Sequence, residues 1–324
     1  MLNALNFVKG AVAQKDLVPV LTHFHIYEGR IQGFNGRLTI DTPCPDLSGM
    51  DITVPAVPFL RAVGSCSGEP GIKIDDNKII VKSGKFTAKL PLADHATFPK
   101  TEDPGGEGQE LSGGLLSTLR ALRPFVSEDA SRLWSLGILF RGGMAYATNN
   151  VLLIRGPLPF PAENLILPVN AVDELIRIGK DPIKVRIADN SITFEYEDGS
   201  WLRSLLISGD WPPVGEIIDK HMLEGNDWRS VPEGLRDAVD KLAPFCPDEA
   251  FPVLYLDEDR VTTDQGDKSA FVDGFEWEVK SGFHVKALKP MLQMATLFNP
   301  EKYPDPCPFA GGSFDGVILG VHIR

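Results

Sequence analysis

Few residues in this chain have the type and spacing to do chemistry. Gly64-Ser65-Cys66-Ser67-Gly68 has the spacing of a nucleophile elbow, with a thiol in the attacking position. That motif works only where a strand turns sharply into a helix and presents the nucleophile at the bend. Here a helical apolar pattern precedes it and Glu69-Pro70 follows, so the context is reversed and the stretch reads as a helix end and loop. His23 and His25 flank Phe24 and share one face of an alternating strand. Two imidazoles hold a metal only when further ligands complete the site, and no third or fourth ligand is apparent, so they read as strand histidines. Asp75-Asp76 and Asp257-Glu258-Asp259 fall where hairpin turns are expected and read as solvated turn residues. There is no phosphate-cradling Walker loop, no dinucleotide glycine fingerprint and no HExxH pair. The expectation is a protein that is not an enzyme, needs no cofactor or metal, and works by binding.

The elements that carry these residues repeat. Pro55 to Pro99 and Pro168 to Pro212 follow one script, 113 residues apart. Each opens on a helical pattern (Pro55 to Val63, Pro168 to Ile178). Each continues through a strand (Ile72-Lys73-Ile74, Val185-Arg186-Ile187), an Asn turn (Asn77, Asn190) and a second strand (Lys78 to Val81, Ser191 to Glu195). Glycine turns at Gly84 and Gly199 lead to a last strand and an aromatic-Pro pair. A repeat of this length signals a duplicated unit, and a weaker third copy follows. In the first unit Asn3 to Gln14 is the expected helix, followed by strands around Leu21 to Tyr27, Arg30 to Asn35 and Arg37 to Asp41. In the second, Leu115 to Leu122 precedes strands at Leu136 to Arg141, Met144 to Thr148 and Val151 to Gly156. In the third, Ser230-Val231-Pro232-Glu233 has the form of a capping box before a helical run through Leu235, Ala238, Val239 and Leu242. Phe251 to Leu256 and Arg260 to Thr263 form an expected hairpin, Phe283 to Leu297 a helix with Pro290 at a kink or late start, and Val317 to Ile323 a final strand.

Linkers are expected at Asp103 to Gly108, by its Pro and Gly content, and at polar Asp219 to Asp227. The expected domains are therefore 1–104, 107–218 and 226–324, each α+β with two helices against short antiparallel strands. The four scattered cysteines suit a reducing cytoplasm. No apolar run approaches the length of a membrane span, and residues 1–15 lack a signal-peptide layout. A net charge of −12 excludes a uniformly basic surface but leaves room for a local basic lining.

Several segments together resemble the bacterial and phage sliding clamp, the DNA polymerase III beta subunit family. They are AVAQKDLVPVLTHFHI (Ala11 to Ile26), VKSGKFTAKLPLADHATFP (Val81 to Pro99), SEDASRLWSLGILF (Ser127 to Phe140), AYATNN (Ala145 to Asn150), LILPVNAVDELIRI (Leu165 to Ile178) and SLLISGDWPP (Ser204 to Pro213). Their order, collinear with the repeat, covers almost the entire chain. The resemblance implies three copies of one fold, and a head-to-tail homodimer closing a ring of six copies around duplex DNA. Helices would line the hole and sheets face outward. The function implied is tethering a DNA polymerase after a clamp loader opens the ring, in bacterial cytoplasm or that of a phage host. The chain departs from the family where Asn149-Asn150-Val151 replaces an Asp-Gly pair followed by His or Arg. It also departs at its tail, Val321-His322-Ile323-Arg324, and in a first strand that is almost absent. The alternatives are a phage structural or adaptor protein that reuses the fold, and a Cys66-dependent hydrolase.

The resemblance also implies sites. DNA phosphates would meet Lys9, Lys15, Arg61, Arg120, Arg123 and Arg177, with Lys180, Arg236, Lys241, Lys286 and Lys289 on later helices. Such contacts position a duplex without reading its bases. A partner-peptide pocket would be walled by Thr148, Leu152, Leu153, Pro212 and Ile217, with Leu319, Val321, Ile323 and Arg324 from the tail. The dimer interface would join Phe86 and Ala88 to Pro244 and Phe245 of a second copy.

Overall fold

The computed structural model describes residues 1–15, 18–101, 108–223, 227–248, 250–263 and 266–321. The elements run in three series. The first is helix α1 (Leu2–Val8), strands β1 (His23–Tyr27), β2 (Arg30–Phe34), β3 (Leu38–Pro43) and β4 (Ile52–Pro55), helix α2 (Ala56–Gly64), then β5 (Gly71–Asp75), β6 (Lys78–Ser83) and β7 (Phe86–Pro91). The second opens with a two-residue strand, β8 (Gln109–Glu110), before α3 (Leu115–Leu122). It continues through β9 (Gly137–Arg141), β10 (Met144–Thr148), β11 (Leu152–Pro157) and β12 (Leu165–Pro168). It closes with α4 (Val169–Ile178), β13 (Lys184–Ala188), β14 (Ser191–Glu195) and β15 (Trp201–Leu205). An additional helix, α5 (Val214–Leu223), follows. The third series is β16 (Arg229–Ser230), α6 (Glu233–Leu242), β17 (Val253–Glu258), β18 (Arg260–Thr262), β19 (Ser269–Phe271), β20 (Trp277–His284), α7 (Val285–Met294), β21 (Leu297–Phe298), β22 (Cys307–Gly311) and β23 (Phe314–Ile318).

Met1–Gly113 and Asp173–Leu206 form one body. Its larger sheet is antiparallel throughout, in the order β4-β1-β2-β3-β15-β14-β13-β8, and β5-β6-β7 form a separate sheet. Helix α1 lies on β2 and β3 and buries Leu5 and Val8 completely. Gly33 of β2 permits that approach, because a Cβ there would stand 2.9 Å from Val8 Cγ1. Asp41, fully buried, accepts hydrogen bonds from Tyr27 Oη (2.7 Å), Arg30 Nε (2.5 Å) and Gln32 Nε2 (3.1 Å). Buried charge is tolerated only when paired and hydrogen-bonded in this way.

Beside that network, fully buried His25 stacks on Tyr27 (4.8 Å) and Phe98 (5.1 Å), with Nε2 2.9 Å from Asp51 Oδ1. Burial pushes its pKa below the usual 6.5, outweighing the opposing pull of Asp51, while Lys100 and His95 add to the lowering. The native imidazole is thus held neutral, whereas the unfolded chain protonates near 6.5. The unfolded state therefore binds more protons, and stability falls as pH drops below about 6.5. Burial shifts His23 and His284 in the same direction. Thermal melts at stepped pH will show this decline, and His25→Phe will flatten it; a melting temperature independent of pH between about 7 and 5 would contradict the assignment.

Gly114–Val172 and Ile207–Arg324 form the other body. Its larger antiparallel sheet has the order β12-β9-β10-β11-β23-β22-β21-β16, with β19-β18-β17-β20 as the smaller. Helices α6 and α7 pack together, and Leu235, Ala238, Val239, Leu288, Met291 and Leu292 form their buried faces.

Several sequence expectations are corrected. The first helix stops at Val8 and tightens into a 3₁₀ turn, Lys9–Ala11, instead of reaching Gln14. Gly10 weakens helix there, and a side chain at that position would collide with Glu174. Asp219 to Leu223 is not linker but the second half of α5. Val214 and Ile218 are buried on that helix, each worth roughly 1.5–3 kcal/mol. Ser230 does not cap α6: Pro232 occupies the N-cap position and makes no side-chain cap, while Ser230 pairs with Leu297 in the sheet. Helix α7 begins at Val285, where His284 Nδ1 accepts from the Lys286 N–H (3.2 Å), and Pro290 lies inside it. The last strand is Phe314–Ile318. The expected break at Asp103 to Glu107, together with Ile323 and Arg324, lies outside the described residues.

Candidate binding cavity and basic helices

Helix α5 and strands β11 and β23 enclose an apolar cavity of about 280 Å³. Leu152 and Leu153 come from β11, and Val317 from β23, where Leu153 stands directly opposite Val317 in the register. Pro212, Val214 and Ile217 line the side where α5 begins. Thr148 comes from the end of β10, Asn150 from the turn between β10 and β11, and Leu319 from just beyond β23. The floor is a packed cluster that includes Leu139, Tyr146, Ile166, Trp211 and Ile218. The rim is open: Ile217 is 37% and Leu319 42% exposed.

Local chemistry fixes these walls. Thr148 Oγ1 donates to the Leu152 carbonyl (2.7 Å) and accepts from the Asn150 N–H (3.1 Å), which closes the turn around Asn150 at φ 69°. The Trp211 indole donates to the Trp134 carbonyl (2.8 Å), and the two rings meet edge to face at 5.1 Å. Arg155 of β11 grips Asp315 of β23 through two bonds (2.8 and 3.0 Å) and Asp219 of α5 through a third (2.7 Å). These carboxylates raise the guanidinium pKa. One side chain thereby ties α5 to the sheet. The cavity suits an apolar anchor: its polar contributions are few, and anchors such as Leu or Phe find partners on every wall.

The structure thus brings Thr148, Leu152, Leu153, Pro212, Ile217 and Leu319 into one site. Val321 lies off it; its N–H donates to Gly282 O (2.7 Å) and its carbonyl accepts from Tyr303 Oη (2.8 Å). Sequence reasoning missed Trp134, Asn150, Val151, Val214, Pro306 and Val317. The Pro-Pro-Val start of an amphipathic run was the available signal for Val214.

The basic residues divide by what they touch. Arg177 of α4 donates to the Asn6 and Phe7 carbonyls (2.8 and 2.7 Å) and to Glu174 (2.6 Å), capping the end of α1. Arg236 of α6 donates to the Leu292 and Ala295 carbonyls (2.6 and 2.9 Å), capping the end of α7. Both satisfy carbonyls that a helix end leaves without partners. Lys9 reaches Asn6 Oδ1 (3.1 Å), Lys180 Asp198 (3.5 Å), Lys241 Asp237 (2.6 Å) and Lys289 Asp240 (2.8 Å). Arg61 on α2, Arg120 on α3 and Lys286 on α7 make no ion pair with a described residue; Arg123 opens the 3₁₀ turn after α3, and Lys15 lies in the bend before residue 18. Of the expected interface residues, Phe86 and Ala88 lie on β7 at one edge of the three-stranded sheet. Pro244 and Phe245 lie in the 3₁₀ turn after α6. Phe86 is 36% and Phe245 54% exposed. Cys66 follows the end of α2, where its Sγ donates to the Ala62 carbonyl at 3.3 Å.

No protein-family model matches the sequence, and no curated protein matches it. The fold, however, is that of solved sliding clamps. The DNA polymerase III beta subunit of Pseudomonas aeruginosa superposes with a TM-score of 0.81 at 19% identity, over 99% of this chain and 97% of that one. The Helicobacter pylori beta clamp bound to a DNA ligase peptide gives 0.79 at 16% identity, over 99% and 97%. The DNA polymerase sliding clamp of Bacillus subtilis gives 0.80 at 16% identity, over 100% and 97%.

Proposed function

We propose that this chain, which has the sliding-clamp fold, is a DNA sliding clamp: a non-enzymatic processivity factor that closes as a head-to-tail homodimer around duplex DNA. The observation that carries this reading is the pattern of sheet edges. The last strand of the second series, β15, pairs with the third strand of the first, β3. The last strand of the third series, β23, pairs in the same way with β11 of the second. By the same rule β7, last in the first series, needs the third strand after the first helix of a third series, which is β19. Both are edge strands in the single chain. An exposed edge requires a partner or protection, and β7 of one copy against β19 of another satisfies both edges twice in a closed two-chain assembly. Phe271 on β19 is 65% exposed and, with Phe245 and Phe86, supplies the apolar contact.

On this reading the domains are 1–104, 107–218 and 226–324, and the lysines with Arg61, Arg120 and Arg123 face the phosphates. The apolar cavity takes hydrophobic anchors of polymerase and clamp-loader peptides; the H. pylori clamp that holds a DNA ligase peptide supports this use of the fold. The setting is cytoplasmic, and no described helix is long and apolar enough to cross a membrane. Encirclement makes a sharp prediction. Affinity for short linear duplex will be weak and will fall steeply with salt, because phosphate contacts release counterions. After a loader has acted, the protein will stay on circular DNA through gel filtration and leave when the circle is cut. Equal retention on cut and closed circles would refute the topological mode.

A further inference from the structure

In the second and third series a two-residue strand covers the outermost edge. Strand β8 pairs with β13, with Glu110 opposite Lys184, an ion pair at 3.6 Å, and the Leu111 N–H bonded to Ile183 O (2.8 Å). Strand β16 pairs with β21, and the Val231 N–H bonds to Thr296 O (2.9 Å) in the same position. Strand β5 occupies the equivalent place in the first series, and Pro70 immediately precedes it as Ile183 and Thr296 precede β13 and β21. No described strand covers it. The effect on burial is seen at the position the short strand covers: Val185 of β13 is 0% and Phe298 of β21 1% exposed, whereas Ile72, their counterpart on β5, is half-buried.

Two concavities flank this open edge. On one side Leu2, Val63, Pro70 and Ile72 form the apolar part of a cavity of about 500 Å³, whose polar part is Glu69 and the paired Met1 amine and Asp46. On the other, Lys73, Ile80, Lys82 and Thr87 line one of about 410 Å³. Lys73, Lys82 and Lys89 lie on one face of β5-β6-β7 by the alternation and register of the strands. All three are exposed, in a chain of net charge −12, and Asp75 stands at the far end of that face. Lysine on an edge repels a second copy of the same strand while favouring an acidic one. The face carries no aromatic platform of the kind that single-stranded nucleic acid stacks on.

We propose that β5 is a docking edge for an extended segment of a partner protein with alternating acidic and apolar residues. The segment adds as an antiparallel strand. Its backbone pairs with β5, its carboxylates meet Lys73 and Lys82, and its apolar residues enter the cavity beside Ile72 and Val63. This site is separate from the apolar cavity at α5 and does not depend on the clamp reading.

The test uses the full chain and a synthetic peptide, Thr-Glu-Val-Glu-Ile-Glu-Val-Thr, followed by amide hydrogen exchange and fluorescence anisotropy. The expected result is protection of residues 70–75 on peptide addition, and binding weakened about tenfold or more in K73E/K82E, whose side chains are exposed and leave the fold intact. A peptide with Lys in place of Glu will not bind. The proposal is overturned if millimolar peptide protects nothing at 70–75, if the charge reversal or the lysine peptide leaves affinity unchanged, or if short duplex DNA protects the same residues instead.

Discussion

Replacing Ile217 and Leu319 with aspartate will abolish peptide capture by this chain and polymerase stimulation with it, while leaving the fold intact. Both residues line the cavity, and both are more than a third exposed at its rim. A carboxylate at either position stays in water in the free protein, so the cost to folding is small. In the complex the same carboxylate would be buried against an apolar anchor with nothing to pair with, which is strongly unfavourable. The anchor also loses its apolar contact, worth roughly 1.5–3 kcal/mol for one Leu or Phe. Together these move a micromolar complex beyond measurement. Binding is read by fluorescence anisotropy with a polymerase-derived peptide, and the fold by thermal melting. A double variant that melts normally and still binds would locate the peptide site elsewhere. Removal of Val321 to Arg324 is a milder companion test. Val321 is bonded to Gly282 and lies off the cavity, so its loss bears on the tail and not on the anchor walls.

The second large effect is on assembly. Phe86→Asp combined with Phe245→Asp will convert a dimer into a species of 35.4 kDa in sedimentation velocity. Each side chain is exposed in the single chain, so the substitutions leave the monomer folded. In a head-to-tail dimer each contact occurs twice, and four unpaired charges would be buried at once, each costing several kcal/mol. The monomeric variant will retain the peptide cavity and lose retention on circular DNA. If the variant remains dimeric, the pairing of β7 with β19 is wrong. If the unmodified chain is monomeric at micromolar concentration, closure itself is wrong.

What was legible in the sequence follows from what is local. Helix and strand periods with proline and glycine punctuation gave most of the three series, since each element carries its own pattern. Two-residue strands such as β8 and β16 carry no period and are found only by their pairing. The second half of helix α5 is hidden in sequence by Asp219 and Lys220: Asp219 reaches Arg155 of β11 and Lys220 is exposed, so polar residues cover a helix whose buried side is Val214 and Ile218. Thr148, Leu152, Leu153, Pro212, Ile217 and Leu319 were reached through the family resemblance; no spacing rule links β10, β11, α5 and the end of β23. Arg177 and Arg236 are indistinguishable in sequence from phosphate contacts, because basic residues on helices look alike there. Their bonds to carbonyls at the ends of α1 and α7 depend on neighbours 170 and 56 residues away.

The grip of Arg155 on Asp315 and Asp219 bears on timing as well as shape. A wall fixed before any ligand arrives spends no ordering entropy of its own on binding, so the cost falls on the incoming peptide alone. Encounter then needs no slow rearrangement of the protein and proceeds at an ordinary diffusional rate. Affinity differences among competing peptides will appear in how long each one stays. A polymerase and a loader sharing this cleft would exchange by release and recapture, with the order of occupancy set by residence time.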